Sequence, residues 1–267
     1  MKYISFLFVL LFMVGAFMGC EKDPNLTLGN FELNIRPRIS GQALDDGLFY
    51  ENIEGRKYKV DAFKLFVSDI TIVKEDGEEV VLSEVELLDM IAEGSGKTQH
   101  GEGVARTFPV SIGQYKGMKV GIGVKPELNH MVPGTYESTH PLSEENGMNW
   151  SWSAGYRFMV LEGMIDASAN MDGAAIDHPF IYHTGTDTLY RELVYLNPEH
   201  AFEIKSNEEL QFILEMDMNR FFYTETDTID MVTDNFSHTT PVGSASYELS
   251  EKIVENMVTG AIFKPPF

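Results

Sequence analysis

Hydrophobic and polar residues alternate from position 31, where Phe31, Leu33 and Ile35 are separated by Glu32, Asn34 and Arg36. Side chains of an extended chain point alternately to opposite faces, so this pattern predicts a strand over 31–39 with one buried side. Turn-forming residues follow from Ser40 to Gly47. Between Lys57 and Val73 the apolar positions are Tyr58, Val60 and Ala62, then Phe63, Leu65 and Val67. That change of phase predicts a bulge or a break. Asp76-Gly77 predicts a hairpin turn, with the return strand starting at Val80. Further strands are predicted over 118–124, 156–165, 180–183, 193–196, 201–204 and 210–218. Two stretches read as helix: a short one over 219–222, and 250–258, where Ile253, Val254 and Met257 fall on one face. Many short strands divided by Gly, Pro, Asn and Asp predict an all-β fold, an antiparallel β-sandwich or open barrel with one or two short helices. No repeat of propeller or solenoid length is visible. No linker divides the body, so residues 31–267 are expected to form one domain.

Composition narrows the function. The 267 residues carry 20 Lys and Arg against 41 Asp and Glu, a formal charge of -21. Nucleic-acid binding draws its affinity from basic groups that neutralise phosphates, and no basic run interrupts this acidity, so nucleic acid is not an expected partner. With 43% hydrophobic residues the chain is too apolar to be disordered. The one cysteine, Cys20, excludes an internal disulfide framework and a four-cysteine zinc site.

The place of Cys20 is informative. An apolar run from Ile4 to Phe17 follows Lys2 and gives way, after Gly19-Cys20, to Glu21-Lys22-Asp23. The run is short for a bilayer span and sits where a secretory signal belongs. Phe17-Met18-Gly19-Cys20 resembles a relaxed bacterial lipobox. Residues 1–19 are therefore expected to be a lipoprotein signal peptide and 20–30 a tether lipidated at Cys20, placing the protein in the periplasm or on the outer-membrane surface of a Gram-negative bacterium. Each buried acyl methylene contributes about 0.8 kcal/mol to such an anchor.

Signatures of catalysis are missing: there is no GxSxG, GxxxxGK[ST], HExxH or dinucleotide fingerprint. Carboxylate abundance alone does not make a catalytic site, and a non-enzymatic protein is expected. The segment that stands out is His140–Phe158, which contains both tryptophans, Trp150 and Trp152. In an extended chain these two indoles share a face. They read either as core anchors with Tyr156 and Phe158, or as a stacking platform for a sugar or peptide.

The run Gly147–Gly163, GMNWSWSAGYRFMVLEG, is similar to the hallmark of the MbnP-like proteins, a family named for a copper-binding periplasmic protein of methanobactin operons. Gly147, Met148, Gly155 and Tyr156 carry the match with the two tryptophans. Ile35-Arg36-Pro37, Gly41-Gln42-Ala43-Leu44, Tyr58-Lys59-Val60 and Phe66-Val67-Ser68-Asp69-Ile70 resemble the family's N-terminal half, and Phe180-Ile181-Tyr182-His183-Thr184-Gly185 its later histidine-glycine strand. The resemblance implies a copper-binding β-sandwich in which a tryptophan, Trp150 or Trp152 here, is oxidised to kynurenine by a MauG-like dihaem cytochrome c peroxidase. It makes His183 one copper ligand. Some family members carry a histidine where this chain has Asn146, and His140 is the nearest substitute for the second ligand. Met148 is a weaker candidate, because methionine more often fills core gaps. His100, His130, His178, His200 and His238 lie outside the matched motifs and are expected at surface or loop positions.

Overall fold

A computed structural model describes residues 27–91, 102–150, 155–239 and 241–266. Cys20 and Trp152 lie outside the described residues. Among the described residues fourteen strands form two sheets. The smaller is built on β1 (Leu28–Ile39), which pairs with β2 (Gln42–Ala43), β6 (Val104–Ser111) and β12 (Glu209–Asp217), while β12 also pairs with β14 (Ala261–Lys264). The larger is built on β4 (Lys57–Lys74), which takes β3 (Tyr50–Glu51), β5 (Glu79–Asp89), β7 (Gly113–Ile122) and β8 (Arg157–Ile165) as neighbours. Beyond β8 come β9 (His178–Gly185) and β13 (Phe236–Ser237), and β10 (Arg191–Leu196) and β11 (Phe202–Ile204) pair with β7. The all-β sandwich or open barrel expected from the sequence is the observed architecture.

The core lies between the inner faces of the two sheets. Phe31, Leu33 and Ile35 of β1 and Phe212, Leu214 and Met216 of β12 face Phe63, Leu65 and Val67 of β4 within one buried cluster. Aromatic pairs such as Phe31–Phe212 at 6.2 Å and Phe63–Phe221 at 6.1 Å knit it together.

The phase change predicted in β4 is a bulge in an unbroken strand. Its register with β8 shifts between Val60 and Ala62, so the inward set moves from Tyr58 and Val60 to Phe63, Leu65 and Val67. A second irregularity falls between Ser68 and Thr71, where Asp69 adopts φ 48° and the inward set moves again, to Ile70 and Ile72. An extra residue at each bulge keeps one face apolar along the whole strand.

Two pairings are parallel, β1 with β12 and β13 with β9. Strand β6 was not legible in the sequence because Pro109 interrupts it. It is tolerated because β6 pairs only with β1, so the missing N–H falls on an open edge. The C-terminal helix α3 (Ala245–Thr259) begins five residues before the apolar stripe suggested, because Ser244 caps it by accepting from the Tyr247 N–H. The other helices are single turns, α1 (Pro126–Asn129) and α2 (Asn219–Phe222).

β4 also fixes where the site forms. Its residues 58–65 pair with β8 and residues 67–74 with β7, while β5 runs past both stretches from Lys64 to Val73. A strand has two edges, so β7 and β8 share the edge opposite β5 and part company beside Phe66. The chain leaving β7 and the chain entering β8 meet there.

Candidate functional site

The meeting point is packed on the outer face of the larger sheet. Phe66, Val124, Leu142, Met148, Tyr156, Phe158 and Val160 form a second apolar cluster separate from the main core. α1 follows β7 directly, and its Asn129 is buried and serves both sides of the junction. The Asn129 carbonyl accepts the backbone N–H of Tyr156 at 2.8 Å, and its amide donates to Asp187 at 2.8 Å. Gly155 makes this contact possible: it has φ 75°, and a Cβ there would lie 2.2 Å from the Asn129 Oδ1.

Residues on either side of 151–154 are held antiparallel. Asn149 pairs with Tyr156, the Trp150 N–H reaches the Gly155 carbonyl at 2.9 Å, and the Arg157 N–H reaches the Met148 carbonyl at 2.7 Å. Trp150 is thereby turned onto the sheet, only 8% exposed, with its indole N–H donating to the Tyr156 carbonyl at 3.1 Å. Gly185, at the end of β9, admits the indole; a Cβ there would lie 2.9 Å from Trp150 Nε1.

Three side chains surround this indole. The His238 ring lies against it with centroids 4.2 Å apart, the His183 ring meets it edge-on at 5.9 Å, and the Arg157 guanidinium carbon is 5.1 Å from its centre. Strand register explains the convergence. Val160 of β8 stands opposite His183 of β9, and Tyr182 of β9 opposite Ser237 of β13. Phe180, Tyr182 and Ser237 face inward and are buried. Alternation then sends His183 and His238, one residue further on each strand, to the outer face together.

Both imidazoles have lowered pKa values, which favours their neutral forms. Burial lowers the pKa of His183, outweighing the opposite pull of Glu162, and the Arg157 and His238 charges lower it further. Burial and the Arg157 charge lower His238 as well. Glu162 lies on the same outer face as His183, with its carboxylate 2.6 Å from the His183 Nε2. Burial also pushes the Tyr156 hydroxyl up to about 12, and that hydroxyl donates to the Leu142 carbonyl at 2.9 Å.

The structure brings together Trp150 and His183 among the residues singled out in the sequence. His140 is engaged elsewhere. Its ring stacks on Tyr136 at 4.1 Å, and its Nδ1 accepts the Leu142 N–H at 3.0 Å. Asn146 donates to the carbonyls of His140 and Pro141, closing that turn. Met148 is buried in the second apolar cluster, and Gly147 ends a 3-10 turn at φ 64°. Trp150 and Tyr156 are both buried, so neither offers the open stacking face a sugar or peptide platform needs. His238, Arg157 and Glu162 are members of the site that sequence reasoning missed. Arg157 and Glu162 stand within the recognised motif, but His238 lies far down the chain in a segment with no motif of its own. Among the described residues no three His, Cys, Asp or Glu side chains converge as a ready-made metal cluster. A cavity of about 420 Å³ opens beside Trp150, lined also by Asn129, His130, Met131, Glu144 and Asn149.

The family model described as MbnP matches residues 28–241. Among solved structures, the chain resembles MbnP from Methylosinus trichosporium, with a TM-score of 0.53 and 15% sequence identity over 76% of this chain and 80% of that one. No curated protein matches the chain.

Proposed function

The chain belongs to the MbnP family, and from that premise we propose that it is an extracytoplasmic copper-binding protein whose site is made by His183, His238 and an oxidised Trp150. The observation that carries this reading is the placement of two imidazoles against one buried indole. Neutral imidazole nitrogen suits copper, and a soft or borderline cation does not need the carboxylate cage of a hard one. Two imidazoles leave the donor set short of a third group. Oxidative cleavage of the indole C2–C3 bond by the peroxidase, with peroxide as the oxidant, would supply one: it leaves a ketone at C3, and hydrolytic loss of C2 as formate leaves the ring nitrogen as an aryl amine. That nitrogen already has a fixed acceptor in the Tyr156 carbonyl. The Arg157 guanidinium beside the ring opposes a bound cation, and the Glu162 carboxylate on His183 offsets it.

Trp150 is the residue we assign to oxidation, with a MauG-like dihaem cytochrome c peroxidase as the partner that performs it. Lipidation at Cys20 would hold the protein at the membrane. Among the described residues no helix is long and apolar enough to cross one. Copper titration of the protein from its native host tests the site. Wild type is expected to bind one copper per chain and the His183→Ala/His238→Ala double variant none; equal binding by both would sink the assignment. For the anchor, Cys20→Ala is expected to move the protein from the membrane fraction to the soluble one.

A further inference from the structure

Glu162 meets only one polar side chain among the described residues, and that is an imidazole. Most ion-paired carboxylates among the described residues find a lysine or arginine, as Glu86 does with Arg106 and Glu79 with Lys119, and only Asp187, on the exposed His130, also meets an imidazole. Glu162 instead reaches the Nε2 of His183 at 2.6 Å. It stands opposite Ile181, two residue pairs along from the Val160–His183 pair, so the two side chains are diagonal neighbours on one face. The His183 side chain is 15% exposed and that of Glu162 40%, so the carboxylate is the more solvent-accessible partner of the pair.

A carboxylate accepts hydrogen bonds and does not donate them, so the nitrogen it contacts must carry the proton. A neutral imidazole carries one proton only. We propose that Glu162 is the positioning residue of this site: by holding the proton of His183 on Nε2, it fixes the ring and leaves Nδ1 as the atom that binds metal. The proposal rests on the copper reading above for the identity of the metal, and on the hydrogen bond alone for the tautomer. Histidines that bind metals are commonly oriented by a carboxylate on their other nitrogen, and losing that partner weakens metal binding by about 10–100-fold.

The test separates the two parts. In metal-free protein labelled with nitrogen-15, the two-bond couplings of the His183 ring, assigned by their loss in His183→Ala, report which nitrogen holds the proton. Wild type is expected to show the Nε2–H form. Glu162→Gln keeps an acceptor oxygen and is expected to preserve that form, whereas Glu162→Leu removes it and is expected to give a mixture. Copper affinity is expected to fall about 10–100-fold in Glu162→Leu and to stay nearer wild type in Glu162→Gln. An Nδ1–H form in wild type, or an unchanged tautomer in Glu162→Leu, overturns the proposal. So does an equal loss of affinity in both variants, which would make the charge rather than the hydrogen bond decisive. Failure of wild type to bind copper while the tautomers behave as expected would overturn the copper reading and not the role of Glu162 in fixing the ring.

Discussion

The His238 ring lies against the indole of Trp150 with centroids 4.2 Å apart and planes inclined by 49°. Nothing in the local sequence of either residue points to the other. The contact arises because β13 adds to β9 in parallel and ends one residue before His238.

His238→Ala is therefore expected to weaken copper binding by at least an order of magnitude, whereas His140→Ala leaves it unchanged because that ring is committed to Tyr136. Competition against a chromogenic chelator measures both. A loss in the His140 variant equal to that in the His238 variant would show that the site is built elsewhere.

Trp150→Phe removes a buried N–H whose acceptor is the Tyr156 carbonyl, and with it part of a ring packed against His238. The expected loss of stability is about 1–3 kcal/mol, read from urea denaturation. In protein from the native host the same substitution should abolish the mass change of kynurenine formation, and Trp152→Phe should not. Persistence of the modified mass in Trp150→Phe would reassign the oxidised residue.

Gly155→Ala and Gly185→Ala probe the frame that holds the indole. At Gly155 the added methyl would meet Asn129 at a backbone conformation of φ 75°, and at Gly185 it would lie 2.5 Å from the Tyr156 carbonyl oxygen. Both should destabilise the protein by about 1–3 kcal/mol and shift the emission of Trp150, because strained backbone and displaced contacts add. Gly41→Ala, with nothing within 4 Å but a φ of 80°, should cost stability without moving the emission.

Acidification should destabilise the protein through the same two histidines. Both pKa values are lowered in the fold from the ordinary value of 6.5. Between those lowered values and 6.5 the unfolded chain binds more protons than the folded one. The stabilisation is therefore complete above the unfolded value and is lost as pH falls through the folded values. Denaturation midpoints measured on either side of pH 6.5 should fall toward acid, and His183→Gln/His238→Gln should flatten that part of the profile. An unchanged slope in the double variant would assign the acid sensitivity of that window to other groups; the carboxylates of Asp166 and Asp227, lowered from 3.8, act only at more acidic pH.

The strands around the site were legible wherever one face is buried and the other wet. Alternation marked β1, β8, β9 and β12, and the phase change in β4 marked its first bulge, because burial acts on every second side chain. The second bulge at Asp69 and the Pro109 strand were hidden, since both depend on which edges of β4 and β6 are paired. The motif around Trp150 pointed to an indole and to His183, and the fold brings the two rings together. It pointed to His140 as the nearest second histidine, whereas the ring the fold sets against Trp150 is that of His238, and His140 stacks on Tyr136.

By itself, then, the sequence determined an all-β body, its period-two core and the motif segment that carries Trp150, because these follow from local patterning and side-chain type. Only the tertiary structure decided which groups surround the indole. That choice depends on the register of three strands, which places Glu162, His183 and His238 on one outer face, and on the Asn129–Gly155 contact that folds Trp150 down onto it. Register is set by long-range pairing of buried faces, and a single-residue slip would send each of those side chains into the core.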